Sequence, residues 1–495
     1  MPLWRHCTRV GPLVVACGAC ACSTDFAELF AGCPSGDCVG DDGGGGATGG
    51  GATSGGSGGS LPPSGQVIWS ARIGDAGTQR ARSIVGDAEG NAVLAGYFFD
   101  GIVLDGQNIV AAGQHDVFLQ KRDPAGIPLW SKHYGGAGND TCRDVAVAPA
   151  GEIVFTGHFS DTIDFGGDVL VSEGLQDMFL AKFTADGTHL WSKSFGDPTE
   201  PQFGQSLVVG ADGSILLAAQ FSGDVDFGQG LLSSAGSSDV LVASFDAGGA
   251  TQWSRAFGGP GYDFGRSIAV DAEGNVYVAG VYEGSVAFGG SPLPGDANGN
   301  LFVAKYDSTG AHLWSHGWGD GADVAEAAMQ IHPDGGVVVA GEFAGTLDLG
   351  TEMLVSDGLE HDVFVLRLDA EGSVLHARRF GDQQIEHAEG LDVSAGGDAF
   401  VGGTFAGTLD FDRSPLSNVD AIDVFVARLD GALDHVWSKA YGGPNEQHTH
   451  TVGIDPQGYV LAAGCLYGQP SSIDFGDPVL ESAGEFDIWM VKLAP

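Results

Sequence analysis

A tryptophan signature, with histidine in one copy, recurs seven times along this chain. Four residues after the tryptophan or histidine, each copy has an apolar residue followed by glycine, and the apolar residue is aromatic in six copies. Successive copies lie 61 or 62 residues apart, a regularity that only a structural repeat maintains over so long a chain. Each copy is therefore predicted to be one packing unit. The copies start at Trp69, Trp130, Trp191, Trp253, Trp314, His376 and Trp437.

Composition excludes two classes of protein. The 83 glycines fall at fixed places in each repeat and not at every third residue, so a collagen-like fold is excluded. Aspartate and glutamate outnumber lysine and arginine by 64 to 21, giving a formal net charge of −43. Such a surface repels phosphate backbones, so nucleic acid is not an expected partner. It would attract divalent cations or basic partners, although the same charge also serves simply to keep a protein soluble.

Each repeat shows four strand signals separated by turn residues. In the second copy, an apolar run at residues 144–147 precedes a turn and a run rich in β-forming residues that begins near Glu152. A third run starts at Asp177, and a second turn leads into the tryptophan strand. Glycines at fixed offsets supply positive φ, and the residues between them are typical of strands. No useful stretch has helical periodicity, so the chain is predicted to be all-β.

The two ends of the repeat region are complementary. After Trp437 the chain provides only three strand signals, whereas an additional tryptophan strand stands alone at residues 66–73. Pairing the two would complete the last unit and remove two exposed sheet edges. The sequence therefore predicts, over residues 66–495, a seven-bladed β-propeller of four-stranded antiparallel blades that is closed by an N-terminal strand.

The blades resemble the bacterial SBBP (seven-bladed beta-propeller) repeat, with a GNVYVAG-type second strand at Asn275 and a WSRAFGG-type ending at Trp253. The resemblance extends over about 430 residues. It implies a fold and little function, because the family is defined by its repeat and not by a catalytic constellation.

The first residues indicate export. Arg5 and Arg9 accompany a short apolar stretch at residues 10–16 that is too brief to span a bilayer. Residues 14–17 resemble the lipobox of bacterial lipoproteins, a resemblance that implies lipidation of Cys17, with Cys22 as the competing site. Gly18 lacks the aspartate that in this family favours inner-membrane retention, so the outer membrane or cell surface is the expected location. We expect a signal region at residues 1–22 and a flexible Gly/Ser-rich tether at 23–65, with the lipid as the only membrane contact.

Two sets of acids recur once per repeat. Oxygen ligands converging from several segments are what a hard cation such as calcium needs, and calcium is the only cofactor that these residues indicate. A carboxylate repeated once per blade more often fixes a local turn, and this interpretation is favoured. One set opens the third strand: Asp116, Asp177, Asp239, Asp362, Asp423 and Asp487, with Asn300 in the fourth blade. The candidate cation-binding set lies in the long connection between the second and third strands, hereafter the excursion: Asp164, Asp226, Asp348, Asp410 and Asp474.

Histidines offer a second candidate metal site. His448 and His450 form an H-x-H pair, and His387 occupies the place of His448 in the preceding repeat. Alternate residues of an extended strand point the same way, which suits a metal, but a third ligand is not evident. The identity of any metal therefore stays open. No nucleophile elbow, phosphate-binding loop or HExxH motif occurs, so no catalytic residue is predicted.

Two functional hypotheses follow. The first is a non-enzymatic, tethered and monomeric propeller that binds an envelope or extracellular protein or glycan through its excursions. The second is an exported lyase or quinoprotein-like enzyme with its site at the mouth of the central channel. The segment ending at Trp314 is similar to the tryptophan docking motif of pyrroloquinoline-quinone dehydrogenases, although such a tryptophan is a packing residue. A cluster of non-repeated polar residues at the channel mouth would favour the enzyme.

Overall fold

The computed structural model describes residues 64–319, 321–412, 415–476 and 478–495. Every regular element in these ranges is a β-strand, so the all-β prediction is confirmed. Cys17, Cys22, the predicted signal region and the predicted tether up to residue 63 lie outside the described residues. Within the described ranges, no helix has the length and apolarity needed to cross a membrane.

The main described strands fall into antiparallel sets of four, called units here and numbered in chain order, and the strands of units 1 and 7 belong to one eight-stranded sheet. Strand β1 (Val67–Ile73) precedes them. Unit 1 contains β2 (Thr78–Gly86), β3 (Ala92–Leu104), β4 (Gln107–Arg122) and β5 (Pro128–Tyr134). Unit 2 contains β6 (Thr141–Val147), β7 (Ile153–Phe159), the short ribbon β8 (Thr162–Ile163) and β9 (Leu170–Val171), then β10 (Asp177–Phe183) and β11 (His189–Phe195). Unit 3 contains β12 (Gln202–Val209), β13 (Ile215–Phe221), the ribbon β14 (Asp224–Asp226) and β15 (Leu231–Ser233), then β16 (Asp239–Phe245) and β17 (Thr251–Phe257).

The later units follow the same plan. Unit 4 contains β18 (Asp263–Val270), β19 (Val276–Tyr282), β20 (Asn300–Tyr306) and β21 (His312–Trp318). Unit 5 contains β22 (Ala322–Ile331), β23 (Val337–Asp348), β24 (Met353–Val355), β25 (Asp362–Leu368) and β26 (Val374–Phe380). Unit 6 contains β27 (Glu386–Val393), β28 (Ala399–Phe405), β29 (Thr408–Leu409), β30 (Leu416–Ser417), β31 (Asp423–Leu429) and β32 (His435–Tyr441). Unit 7 contains β33 (Glu446–Ile454), β34 (Val460–Tyr467), β35 (Ser472–Ile473), β36 (Leu480–Glu481) and β37 (Phe486–Leu493), with β1 as its fourth strand.

An aspartate and a glycine shape the tight turns. Between β2 and β3, the Asp87 carboxylate accepts the backbone N–H groups of Glu89 and Asn91 at 3.0 and 2.9 Å. Gly90 has a φ of 80°, which disfavours any residue with a Cβ. The carboxylate of Asp271 makes the same bonds between β18 and β19. The repeated turn residues thus fix where one strand ends and the next begins.

The recurring tryptophan joins neighbouring units. The indole N–H of Trp130 on β5 donates to the carbonyl of Ala185, in the last turn of unit 2, at 3.2 Å. The same bond to the following unit, at 3.0 to 3.4 Å, is made by Trp69, Trp191, Trp253 and Trp314. A large aromatic ring whose polar N–H group is hydrogen-bonded stabilises the junction between two units. Because each such junction uses one tryptophan, the spacing of the signature equals the length of one unit.

Strand β1 lies on the last unit. It pairs antiparallel with β37, with Ser70 opposite Val491 and Ile73 opposite Ile488. Unit 7 also contacts unit 1 through their first strands, β33 and β2, because the backbone N–H of Ile84 donates to Thr451 Oγ1 at 3.2 Å. Every other first strand contacts the first strand of the next unit in the same way along the chain.

The apolar core lies between neighbouring units. One cluster combines Leu94 and Phe118 of unit 1 with Ile73, Leu461 and Met490 of unit 7, all at most 3% exposed. The remaining junctions have equivalent clusters. Each unit is thus stabilised by burial against its neighbours, as expected of repeats that cannot bury their faces alone.

Candidate functional site

The two ends of the strands differ in what connects them. In an antiparallel unit, the first and last turns lie at one end, whereas the excursion and the link to the next unit lie at the other. We call the second end the loop-rich face. It contains most of the sequence that varies between units, which is where binding residues are expected.

The five candidate cation ligands lie on the excursions, each on a different unit, and all are exposed. The carboxylate of Asp164 accepts the N–H of Gly166 at 2.7 Å, while Ile163 and Phe165 on either side are buried. The same bond to the glycine two residues later, at 2.7 to 2.8 Å, is made by Asp226, Asp348 and Asp474. The fifth residue is Asp410. Carboxylates engaged in this way brace tight turns.

The acids that open the third strand are buried instead. Asp116 is 1% exposed, and its Oδ2 accepts the N–H of Ala112 on the returning excursion at 2.9 Å. A Cβ on Gly135 would lie 2.2 Å from the carboxylate carbon of Asp116, so only glycine fits after the aromatic residue of the signature. The aspartate and the aromatic–glycine pair are therefore parts of one packing arrangement. Burial raises the pKa of Asp116 despite the backbone hydrogen bonds that it accepts.

Three links between units also contain a buried acid. Burial raises the pKa of Glu386 to about 8, that of Asp140 to about 7 and that of Asp263 to about 6. The Oε2 atom of Glu386 accepts the N–H of Asp382 at 3.2 Å. Glutamine makes the equivalent bond through Oε1 at three other links, at 2.9 to 3.3 Å: Gln79, Gln202 and Gln447. A neutral side chain therefore suits this position.

The histidine pair has separate partners. His448 lies 3.5 Å from Glu446 Oε2 and packs on the ring of Tyr467, whereas His450 Nδ1 lies 3.9 Å from Glu389 Oε1. In the part of the chain that the structure describes, no group of three or more histidine, cysteine, aspartate or glutamate side chains is arranged to hold a metal ion. The described geometry thus brings no third ligand to this pair.

A different set of polar residues meets between the first strands. Each first strand shifts register against its second strand by skipping one residue, a bulge that re-aims the side chain. The skipped residues are Arg82, Arg143, Gln205, Arg266, Ala325, Glu389 and His450. We define the inner-strand cluster as Arg80, Arg82, Arg143, Arg266, Glu326, Glu342, His387, Glu389 and His450.

Charges in the inner-strand cluster act across units. The Arg266 Nε atom lies 3.5 Å from Glu326 Oε2, and His387 Nδ1 contacts Glu342 Oε2. Glu326 in unit 5 also interacts electrostatically with Arg143 in unit 2, and Glu389 in unit 6 interacts with Arg82 in unit 1. These residues therefore surround one common space.

Two glutamates beside this space are accessible to solvent. Glu326 has 41% of its side chain exposed and Glu389 has 25%. Desolvation raises the pKa of Glu389 to about 8, an effect that Glu342 and Glu326 add to and His387 opposes. Burial lowers the pKa of His387, but attraction to Glu342 outweighs this and raises it to about 9.

The arginines of unit 1 pack on aromatic rings at the same place. The Arg82 guanidinium lies over Tyr97 at 5.3 Å and donates to its hydroxyl at 3.2 Å. Arg80 lies over Tyr467 and Phe486 at 5.7 and 5.1 Å. These contacts hold the positively charged side chains close to the inner space.

The inner-strand cluster was not apparent from the sequence. Motif searches look for several reactive residues near one another in the chain, whereas this cluster takes one or two residues from each of several repeats. A signal is nevertheless present. The position immediately after Ala81 or its equivalents differs in charge from copy to copy, as at Arg143, Gln205 and Glu389, although its surroundings repeat.

Comparisons with known proteins concern the repeat. Residues 252–281 match the family model described as SBBP, Beta-propeller repeat. The match covers most of the tryptophan strand β17, the whole first strand β18 and most of β19. The repeat predicted from the residues around Trp253 and Asn275 is thereby confirmed.

Two curated relatives match part of the chain. An uncharacterized WD repeat-containing protein, L264, of Acanthamoeba polyphaga mimivirus is 21% identical over 56% of this chain and 19% of its own length. The regulatory protein FlaEY of Caulobacter vibrioides is 26% identical over 46% of this chain and 26% of its own length. The matched regions thus span about a fifth to a quarter of these relatives.

Among solved structures, puromycin hydrolase is similar at 13% identity and a TM-score of 0.41. The match covers 80% of this chain and 51% of that one.

Proposed function

We propose that this protein is an exported, lipid-anchored β-propeller of seven blades that binds a protein or glycan through its loop-rich face and performs no catalysis. Units 1 to 7 are its blades. In this proposal the lipid on Cys17 holds the protein at the outer membrane or cell surface, residues 23–65 form the tether, and the protein is a monomer. No cofactor is required, because the excursion acids brace turns.

Closure of the ring is supported by contacts between the first and last units. Besides the pairing of β1 with β37, Trp69 on β1 donates to the carbonyl of Pro124 in unit 1 at 3.1 Å, which is the bond that other tryptophans make to the next unit. The bond between Ile84 and Thr451 has a counterpart between units 2 and 3, where the N–H of Leu207 donates to Asp144 at 2.8 Å. Unit 7 therefore contacts unit 1 as an ordinary neighbour.

The observation that carries the binding proposal is the apolar surface of the excursions. Side chains that are more than half exposed occur there in several units: Val110, Val171, Leu231, Val355, Leu359 and Val419. Exposed apolar groups rimmed by charged residues are typical of surfaces that bind a partner. They occupy connections held by rigid sheets, which suits a preorganised binding face.

A comparison of surface variants tests this proposal. The triple variant Val171→Asp, Leu231→Asp and Val419→Asp should lose binding to envelope proteins and purified glycans, because charged groups would disrupt an apolar contact. Ile127→Asp is the matched control, since Ile127 is 60% exposed but lies in the last turn of unit 1, away from the loop-rich face. Equal binding by the wild-type protein and both variants would refute this role of the excursions.

An exported enzyme is the second candidate, and the inner-strand cluster specifically favours it. Its polar residues are not repeated, and a carboxyl with a pKa of about 8 beside a histidine is suited to proton transfer near neutral pH. Lyase turnover would be detected through the ultraviolet absorbance of an unsaturated product, and quinoprotein activity through reduction of a dye with quinone supplied. If the protein is an enzyme, the Glu389→Gln variant should lose turnover while retaining ligand binding. If the wild-type protein shows neither activity, the binding role remains the proposed function.

A further inference from the structure

A cavity of about 860 Å³ lies on the outer side of unit 3. It is lined by residues 229–233 of the excursion, by residues 252–256 of the outer strand β17 and by residues 308–309 in the last turn of unit 4. Small-molecule sites typically occupy about 300–1,000 Å³. All of these residues border the same space, so a ligand there would meet side chains from two neighbouring units.

In unit 2 the corresponding space is filled by a histidine. The imidazole of His189, the first residue of β11, has its Nε2 atom 3.2 Å from Ser192 Oγ. It also lies against the excursion, where a Cβ on Gly167 would be only 2.4 Å from the imidazole Cε1 atom. Histidine has the same place in units 4 and 6, and the imidazole again lies beside the excursion. In these three units a side chain therefore occupies the gap between the excursion and the outer strand.

Unit 3 departs from this arrangement at both positions. Thr251 begins its outer strand, and Gln229 replaces the excursion glycine. The amide of Gln229 donates to the carbonyl of Thr251 at 3.2 Å. Ser254, the counterpart of Ser192, lines the cavity instead of meeting an imidazole. The cavity therefore exists because unit 3 has a small residue where three other units have histidine.

The cavity lining combines neutral polar groups with apolar surface. Leu231, which is 64% exposed, and the ring of Trp253 provide apolar contacts. Gln229 and Gln252 contribute amides, and each amide N–H group donates to a backbone carbonyl at 3.2 Å, which keeps the amide oxygen available as an acceptor. Four residues add hydroxyl groups: Ser233, Ser254, Ser308 and Thr309. Such a surface can hydrogen-bond several neutral hydroxyl groups at once.

The cavity also differs from the rest of the chain in charge. No aspartate or glutamate lines it, although the sequence has 64 of these residues. Its one charged lining residue is Arg255, whose guanidinium lies over Trp253 at 5.9 Å and donates to the Ser254 carbonyl at 2.8 Å. The net charge of −43 repels acidic ligands, and the lining offers no carboxylate to a basic one. A neutral, polyhydroxylated ligand therefore fits the cavity best.

We propose that this cavity binds a short neutral oligosaccharide, an inference that rests on the proposed function and makes its glycan alternative specific. A sugar ring exposes C–H groups beside its hydroxyl groups, so it needs apolar contacts and neutral hydrogen-bonding partners in one place. Leu231 and Trp253 supply the first, and the amide oxygens of Gln229 and Gln252 accept from the hydroxyl groups. An extended peptide is less suited, because the bond from Gln229 already uses the first carbonyl of β17.

Binding of the full-length protein to an immobilised glycan panel tests this inference. The neutral probes are trisaccharides of glucose, galactose, mannose and N-acetylglucosamine, and trigalacturonate is the acidic counterpart of the galactose probe. We expect at least one neutral trisaccharide to bind, and to bind more tightly than trigalacturonate. Calorimetric titration with that trisaccharide then gives the Kd that is compared between variants.

The other units supply the design of the variants. Gln229→Gly combined with Thr251→His recreates the arrangement of unit 2 and should abolish binding, because an imidazole would fill the cavity. Gln252→Leu introduces the residue that precedes the tryptophan in units 1, 2 and 4, and should weaken binding by about threefold to tenfold through loss of one hydrogen bond. Leu190→Gln makes the reverse change in unit 2, outside the cavity, and is the matched control that should leave the affinity unchanged. Unfolding transitions verify that all variants are folded.

Three results would overturn the inference: no neutral trisaccharide binds, trigalacturonate binds more tightly than every neutral probe, or the double variant binds the trisaccharide as the wild type does. Loss of envelope-protein binding in the double variant, without sugar binding by the wild type, would assign the cavity to a protein and would also overturn it. The proposed function would survive any of these results if the excursion triple variant lost binding to an envelope protein. Equal partner binding by the wild-type protein and the excursion variant would instead refute the proposed function.

Discussion

The guanidinium of Arg378 donates a hydrogen bond to the carbonyl of Ala432 at 3.4 Å, and to the Asp434 carboxylate at 2.8 Å. Ala432 lies in the last turn of unit 6, one residue after Gly431, which corresponds to the residues whose carbonyls accept a tryptophan indole in five other turns. The signature of unit 5 has His376 in place of tryptophan, and an arginine two residues later bonds to the same turn of the next unit. The repeat thus tolerates a change of residue while keeping a bond between the two units.

Replacement of Arg378 by alanine should lower the free energy of unfolding by about 1 kcal/mol, the usual net value of one hydrogen bond. The half-exposed ion pair with Asp434 adds little. Urea unfolding monitored by tryptophan fluorescence measures the change. Arg255→Ala is the control, since Arg255 has the same place on its strand but Trp253 makes the bond to the next unit. Equal destabilisation by both changes would contradict this assignment.

Deletion of residues 61–73 should lower the free energy of unfolding by at least about 3 kcal/mol. The deletion removes β1, exposes the edge of β37 and takes the buried Ile73 from the core between units 7 and 1. Thermal unfolding of the variant beside the full chain measures the effect. A deletion of residues 51–60, within the predicted tether, serves as the control and should leave the transition unchanged. A normal transition in the first deletion would show that β1 does not close the ring.

Millimolar calcium should not raise the melting temperature beyond sodium at equal ionic strength. Four of the five excursion acids accept backbone hydrogen bonds within their own turns, as Asp226 does from Gly228 and Gly230 at 2.7 and 3.2 Å. If these carboxylates bound calcium instead, linkage would add about 3 kcal/mol per site at a hundredfold excess over Kd. A rise of many degrees would therefore reverse the turn-bracing interpretation.

Glu386→Gln should stabilise the protein increasingly as pH rises. An ordinary glutamate has a pKa of about 4.3, whereas burial raises that of Glu386 to about 8. The folded state therefore holds a proton that the unfolded state releases between these values, so wild-type stability falls as pH rises from 4 to 8. We expect the variant to gain about 2 to 4 kcal/mol over the wild type between pH 5 and pH 9.

Denaturant unfolding of both proteins at several pH values tests this prediction. Gln202, which makes the same backbone hydrogen bond in unit 3, shows that the new side chain fits. The substitution Glu371→Gln, in an exposed turn, is the control and should show no such trend. A constant difference between variant and wild type would mean that Glu386 is not protonated in the folded protein.

Cys17→Ser should abolish lipidation and release the protein in soluble form, because the thiol is the atom to which the lipid would be attached. Metabolic labelling with a fatty acid, followed by fractionation, measures both effects. Cys22→Ser is the control and should retain the label. Retention in the Cys17 variant together with loss in the Cys22 variant would move the anchor to the second cysteine.

The strand pattern was predictable because its causes are local. Turn residues such as Asp87 and Gly90 act within four positions, and the alternation of side chains between turns follows from the two-residue period of a strand. The partner of Asp116 could not be anticipated in this way. Its role depends on the close approach of Gly135, 19 residues later, and the sequence shows only that both residues recur.

The inner-strand cluster was missed for a related reason. Periodicity identifies what repeats, whereas Arg143, Glu326 and Glu389 differ from their counterparts and meet only when distant units are assembled. The bulge that re-aims each side chain occurs in the first strand of every unit, so the 61 or 62 residue spacing does not reveal it.

The pairing of β1 with β37 also imposes an order on maturation. Residues 67–73 leave the ribosome more than four hundred residues before their partner at 486–493, so the first strand to be made is the last to be used. Until translation reaches residue 486, β1 has no complementary edge, and contacts of such long range are slow to form. A prematurely terminated chain would expose an apolar strand at each end, which gives proteolytic quality control a simple means of distinguishing it from the finished protein.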